Sequence, residues 1–328
     1  MRFVLRRLGF FVVTLWAAVS FNFLIPRLMP GSPVQALLAE HPHLGPQAIK
    51  ALTVLLGGSS HQGLVAQYLQ YWGHVLTFNF GVSITTSFGT SVNKMVFDAL
   101  PWTLGLVGVT TVIAFVAGTL IGLVSAWKRG SWLDSALPPI FVITSAFPYF
   151  WIGLLAIYIF AIRLGVLPNH SAYNFYNDTP GIDLHYIGDV LQHAILPAAT
   201  ILITSIGGWI LTMRNNVVTV LAEDYVRMAR AKGLRPWRVM WQYAGRNAIL
   251  PNLTGFAMSL GFVVSGAILV EYVFNYPGVG YMLLDAVNGH DYPLMQALFL
   301  LITVAVLVSV LAADVVTAVL DPRTRELG

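Results

Sequence analysis

The side chains best placed to do chemistry fall in one run, Glu223, Asp224, Tyr225, Val226, Arg227, Met228, Ala229, Arg230, Ala231, Lys232, Gly233 and Leu234, between long apolar stretches. The pattern points to mechanical contact rather than catalysis. Acids open the run and bases close it, the order that a helix macrodipole favours. Gly233 stands where a left-handed C-cap belongs, and Pro236 suits the first turn of a second helix. That helix should run toward Arg246 and Asn247, with Pro251 marking entry into the next apolar stretch. Tyr225, Met228 and Ala229, three or four residues apart, predict a single apolar stripe. Such a stripe suits either a groove in a soluble partner or the surface of anionic lipid. The acid-to-base order and the small alanines favour the protein groove.

The residues that are missing exclude several chemistries. A phosphate-binding loop needs Lys followed by Ser or Thr. The four lysines here precede Ala51, Met95, Arg129 and Gly233, so the chain is expected to bind neither ATP nor magnesium itself. There is no cysteine, which removes disulfides, thiolate metal sites and cysteine nucleophiles. No His-Glu-x-x-His occurs, and His41 and His43 flank Pro42 instead of pairing on a helix. No catalytic residue, metal ligand or resident cofactor is expected.

The elements that carry this run must cross a membrane. Hydrophobic residues make up 57% of the chain and charged ones 10%, against about 25% charged in ordinary soluble domains. Six stretches, 8–26, 99–127, 135–162, 190–213, 247–270 and 292–313, lack acids and bases for about the 20 residues a bilayer crossing requires. The expectation is an all-α integral membrane protein with six transmembrane helices. Of the 18 basic residues, all but Arg27, Lys50, Lys94 and Arg163 sort to one set of segments, placing both termini on the inner side. The basic excess then belongs to inner-face loops, and no nucleic-acid surface is needed.

Arg6 and Arg7 ahead of an apolar stretch resemble a secretory signal, but residues 20–26 offer no small-x-small cleavage site. An uncleaved first span is expected. The chain divides into a tail and first span at 1–28, an extracytoplasmic region at 29–98, a core of five spans at 99–320 and a tail at 321–328. Within 29–98, Pro30-Gly31-Ser32-Pro33, His41-Pro42-His43 and Gly57-Gly58 predict turns, with short helices over 47–56 and 64–76. A second outer loop, 163–189, carries Tyr173, Phe175, Tyr176, Asn177 and Asp178. Gly118 with Gly122, Gly255 with Ser259 and Gly261 with Ser265 should let helices pack closely. Glu271 and Asp314 sit at span ends, where anchoring is favoured over proton transfer.

Taken in order, these segments resemble the permease subunits of binding-protein-dependent ABC importers. The resemblance is to the dipeptide, oligopeptide and nickel subgroup, and it covers nearly the whole chain. Tyr225-Val226 through Ala229, Ala231-Lys232-Gly233-Leu234, then Arg246-Asn247-Ala248 and Leu250-Pro251, match the subgroup's cytoplasmic coupling loop, here 214–250. Arg227 and Met228 replace the first two residues of the general Glu-Ala-Ala signature. Leu100-Pro101-Trp102-Thr103 and Phe147-Pro148-Tyr149-Phe150-Trp151 resemble span motifs. Glu271, Pro277, Gly278 and Gly280 match an outer motif after the fifth span, and Asp291-Tyr292-Pro293 and Asp321-Pro322-Arg323 complete the series. Ser32 stands where the subgroup more often has Asp, and residues 171–183 exceed the usual short second outer loop.

The resemblance implies a type I ABC importer permease in a bacterial or archaeal plasma membrane. It would work with a second homologous permease, two ATP-binding subunits that hold ATP and magnesium, and an extracytoplasmic substrate-binding protein. Peptides would be the leading solute, with oligosaccharides or nickel complexes as alternatives. An ion-gradient-driven secondary transporter is the reading from another class. It calls for ionisable residues at midspan, which these spans largely lack.

Overall fold

The computed structural model describes residues 2–40, 63–176 and 180–320. The expected helix at 47–56, the turns at 41–43 and 57–58, Asn177 and Asp178, and the closing motif in 321–328 lie outside the described residues. Among the described residues the chain is helical and contains no strand, only an isolated bridge between Val82 and Ser91. The principal helices among the described residues begin with α1 Arg2–Leu28, α2 Pro33–Glu40, α3 Leu64–Thr77, α4 Val92–Trp127, α5 Trp132–Ala146 and α6 Tyr149–Arg163. There follow α7 Leu184–Leu221, α8 Asp224–Ala231, α9 Leu250–Ser265, α10 Ile268–Val273, α11 Val279–Asn288 and α12 Tyr292–Leu320. The expected short helix over 64–76 is α3, and the capped helix of the charged run is α8.

Among the described residues, five stretches are long and apolar enough to cross a membrane: Gly9–Leu28, Val92–Trp127, Leu184–Leu221, Leu250–Val273 and Tyr292–Val315. The expected third span is not one of them. It is split into α5 and α6 at Phe147 and Pro148. A proline forces its predecessor out of the α region, and Phe147 is accordingly extended at φ −86° and ψ 136°. Periodicity and composition do not register this break, because apolar residues continue through it. The stretch Leu250–Val273 is interrupted as well, at Gly266 with φ +70°. The helix of the expected fourth span, α7, runs 38 residues, well past the expected 190–213 and into the expected second outer loop. At 1.5 Å per residue it is ~57 Å long, nearly twice the ~30 Å hydrocarbon core.

Two long helix pairs organise the bundle: α4 lies along α7, and α9 along α12. Small residues permit the first pairing. A Cβ on Gly118 would overlap Trp209, and one on Gly122 would overlap the carbonyl of Ile210. Gly261 meets Val306 and Ser309 of α12 in the same manner, and Gly255 touches Trp209. Ser259 and Ser265 instead donate to carbonyls of their own helix. In α4, Pro101 cannot donate to the preceding turn, and a π-helical turn over Leu104–Gly108 follows it directly. The α1 helix joins α12 and α3 through buried Val19, Phe23, Tyr71 and Leu300. Asn22 adds donations to the Tyr71 hydroxyl at 3.0 Å and the Gln296 carbonyl at 2.9 Å.

Candidate functional site

The helix α8 begins at Glu223 in extended conformation and presents Asp224 in its first turn. It ends as the sequence anticipates. Gly233 has φ +72°, its N–H donates to the Arg230 carbonyl at 2.9 Å, and the Leu234 N–H donates to the Ala229 carbonyl at 3.3 Å. That bond pair is a Schellman closure, which satisfies carbonyls a helix end would otherwise leave bare. Nothing lies within 4 Å of where a Cβ on Gly233 would sit, so backbone conformation, not space, makes glycine necessary.

The predicted stripe is corrected on one residue. Ala229 does not share a face with Tyr225 and Met228. It is buried with Val226 and Val239 against Trp127, Val220, Leu221, Leu234 and Tyr243. Tyr225 and Met228 are left on the outside, 40% and 58% exposed. The helix thus has a face bonded to its own subunit and a free face of one aromatic and one thioether side chain. Val226 decides this: a larger apolar group one residue from Tyr225 takes the inner position that spacing alone assigned to the stripe. Arg230 lies over the Trp127 ring, 5.3 Å from its centroid, so one of the bases is held against the subunit. Arg227 pairs with Asp224 at 3.6 Å, an exposed contact of little energetic weight. Ala231 and Lys232 remain exposed at the end of the helix.

The second half of the loop folds back onto the first. Pro236 occupies the first turn of a short helix, Pro236–Arg238, as expected. A π-helical stretch, Val239–Gly245, follows and leads to Arg246–Ala248. Asn247 donates to the Tyr243 carbonyl at 2.8 Å and lies beside the Tyr225 hydroxyl, joining the loop return to α8. Arg246 is exposed, and Pro251 falls in the first turn of α9.

An ion pair that the sequence reading did not single out fixes the loop's base. Asp134, just ahead of the third span, accepts from Arg214 Nε at 2.6 Å and from the Gly130 N–H at 3.0 Å. The Arg214 guanidinium holds the Asp134 carboxyl below its ordinary range, against the opposing effect of burial. Ser131 caps the same helix, accepting from the Asp134 N–H. The available signal was a Ser-x-x-Asp capping pattern beside the inner turn; its arginine partner, far along the chain, gave none.

The motif expected on the outer side is a separate cluster. From Leu250 to Ser265 α9 alone rises ~22 Å, and Glu271, Pro277, Gly278 and Gly280 lie beyond its far end, away from the loop. Glu271 is fully buried and accepts from Thr103 Oγ1 at 2.9 Å, the Gly280 N–H at 2.7 Å and the Tyr281 N–H at 3.2 Å. A carboxylate on the first amides of α11 is the favoured charge for a helix N-terminus. Pro277 leads into the turn, and a side chain on Gly278 would overlap both Glu271 and Thr103. Asp291 plays the same part nearby, accepting from Ser83 Oγ and from the N–H groups of Ile84, Thr85, Thr86 and Leu294. Both acids anchor helix ends. No group of three or more His, Cys, Asp or Glu able to hold a metal occurs among the described residues.

Residues 118–326 match the family described as binding-protein-dependent transport system inner membrane component. The chain belongs to that family of multi-pass proteins of the bacterial plasma membrane. Similar relatives include a di/tripeptide transport system permease protein of Pseudomonas aeruginosa, 33% identical over 98% of both chains. An oligopeptide transport system permease protein of Bacillus subtilis is 31% identical over 98% of both chains. A glutathione transport system permease protein of Salmonella choleraesuis is 34% identical over 99% of both chains. The match begins inside α4 and includes the loop at 214–250, the Glu271 cluster and α12.

Proposed function

We propose that this chain is one of two transmembrane subunits of an ATP-driven importer and that its solutes are short peptides. It spans the membrane six times, the broken α5–α6 pair forming the third crossing, with both termini inside. Two partner subunits hold ATP and magnesium and hydrolyse the nucleotide; this chain does not. An extracytoplasmic binding protein delivers the solute to the outer side. The observation that carries this reading is α8. It is clamped to its own subunit through Val226, Ala229 and Trp127 and closed at Gly233, yet it offers Tyr225 and Met228 outward. A rigid helix with a free apolar face can transmit a push from a docked ATPase into α7 and α9.

Peptides are favoured because relatives aligned along the whole chain are named for di/tripeptides, oligopeptides and glutathione. The test is uptake by the complete importer, reconstituted with its binding protein and internal ATP. Unlabelled di- and tripeptides should abolish uptake of a labelled dipeptide, while oligosaccharides and nickel complexes leave it unchanged. Inhibition by either of the latter at comparable concentration, with none by peptides, would reject the solute assignment.

A further inference from the structure

We propose that the break in the third span, with Thr204 and Ser205 of α7, forms a water-lined notch that contacts the passing solute and recognises peptide backbone rather than side chains. The proposal rests on the importer reading above and assigns it a place of contact. Ala146, Phe147, Pro148, Tyr149, Thr204 and Ser205 line a cavity of about 500 Å³. Its depth follows from the inner ion pair. Phe147 lies 13 residues beyond Asp134, and Thr204 lies 10 before Arg214, rises of ~20 and ~15 Å. Both put the notch near the middle of a ~30 Å hydrocarbon layer.

Extended backbone at that depth is tolerated only where protein covers it or water reaches it. Here Phe147, Pro148 and Tyr149 are exposed. The end of α5 and the start of α6 leave carbonyls and amides without intrahelical partners, apart from the Trp151 N–H, which donates to the Pro148 carbonyl at 2.9 Å. On the facing helix the hydroxyls already have acceptors. Thr204 Oγ1 donates to the Thr200 carbonyl at 2.9 Å, and Ser205 Oγ to the Ile201 carbonyl at 2.7 Å. Their lone pairs therefore remain to accept from a ligand. The notch thus offers amide donors, carbonyl and hydroxyl acceptors and two aromatic rings, and none of its lining side chains is charged. A peptide bond presents the complementary donor and acceptor. Without a charged clamp the contact is weak and brief, as passage requires.

The absence of cysteine from this chain makes the test direct. Thr204→Cys, Ser205→Cys and Ile203→Cys are placed singly in the complete importer with cysteine-free partners and exposed to a charged, membrane-impermeant thiol reagent. Positions 204 and 205 should react, and dipeptide with binding protein and ATP should slow the reaction. Position 203, exposed but not lining the notch, should stay inert. Thr204→Val should raise the KM for dipeptide about two- to tenfold, the worth of one neutral hydrogen bond. Reaction at 204 and 205 no faster than at 203, or an unmoved KM in both Thr204→Val and Ser205→Ala, overturns the notch as a contact surface. Labelling at 204 and 205 without peptide uptake by the parent importer overturns the peptide class and leaves the water-lined notch standing.

Discussion

Gly233 isolates a single requirement. The space around it is open, so any side chain fits, and only the positive φ discriminates. Valine in the left-handed region costs about 1–2 kcal/mol, too little to unfold a membrane bundle and enough to unwind the last turn of α8. Gly233→Val should insert and assemble normally while uptake falls and binding protein stimulates ATP hydrolysis only weakly. Gly233→Asn, which tolerates this conformation, should retain uptake. Uptake and stimulated ATPase rates measured on matched amounts of both variants decide it; equal uptake by valine and parent would separate the cap from coupling. This residue was legible in the sequence because a glycine after a base-rich helical run has a specific local meaning. Asp134 and Arg214 were not legible as a pair, since their contact depends on how α5 and α7 pack and not on spacing.

Elements were read unevenly for the same reason. Runs without charge gave the long helices and approximate limits, and capping residues gave the limits of α8. The Phe147–Pro148 break and the extension of α7 beyond the bilayer length went unseen, because hydropathy measures composition and is blind to backbone direction. On α8 the spacing placed Tyr225, Met228 and Ala229 together, whereas Val226 and Ala229 form the inner face. The corrected face yields a sharper expectation. In the assembled importer, Met228→Cys should cross-link to a cysteine in the ATPase subunit. Val226→Cys, fully buried in this subunit, should not. Electrophoresis of the cross-linked complex reads the result. A cross-link at 226 without one at 228 would reverse the assignment of faces.

For the whole molecule, the distribution of basic residues predicts an orientation with both termini inside. Ser59→Cys should label from outside in intact cells, and Arg129→Cys only after permeabilisation; labelling of position 129 in sealed cells would contradict the six-span arrangement. Packing supports a division between a rigid body, built on α4 with α7 and α9 with α12, and two anchored ends, the inner loop and the Glu271 hairpin. On the proposed reading, a chain organised in this way transmits work that its partner subunits generate. The most direct measurement is solute uptake into proteoliposomes with each component omitted in turn. The second permease, the ATPase subunits, the binding protein and internal ATP should each prove indispensable, and imposed proton or sodium gradients should not replace ATP. Uptake by this chain alone, driven by an ion gradient, would contradict the importer-subunit reading.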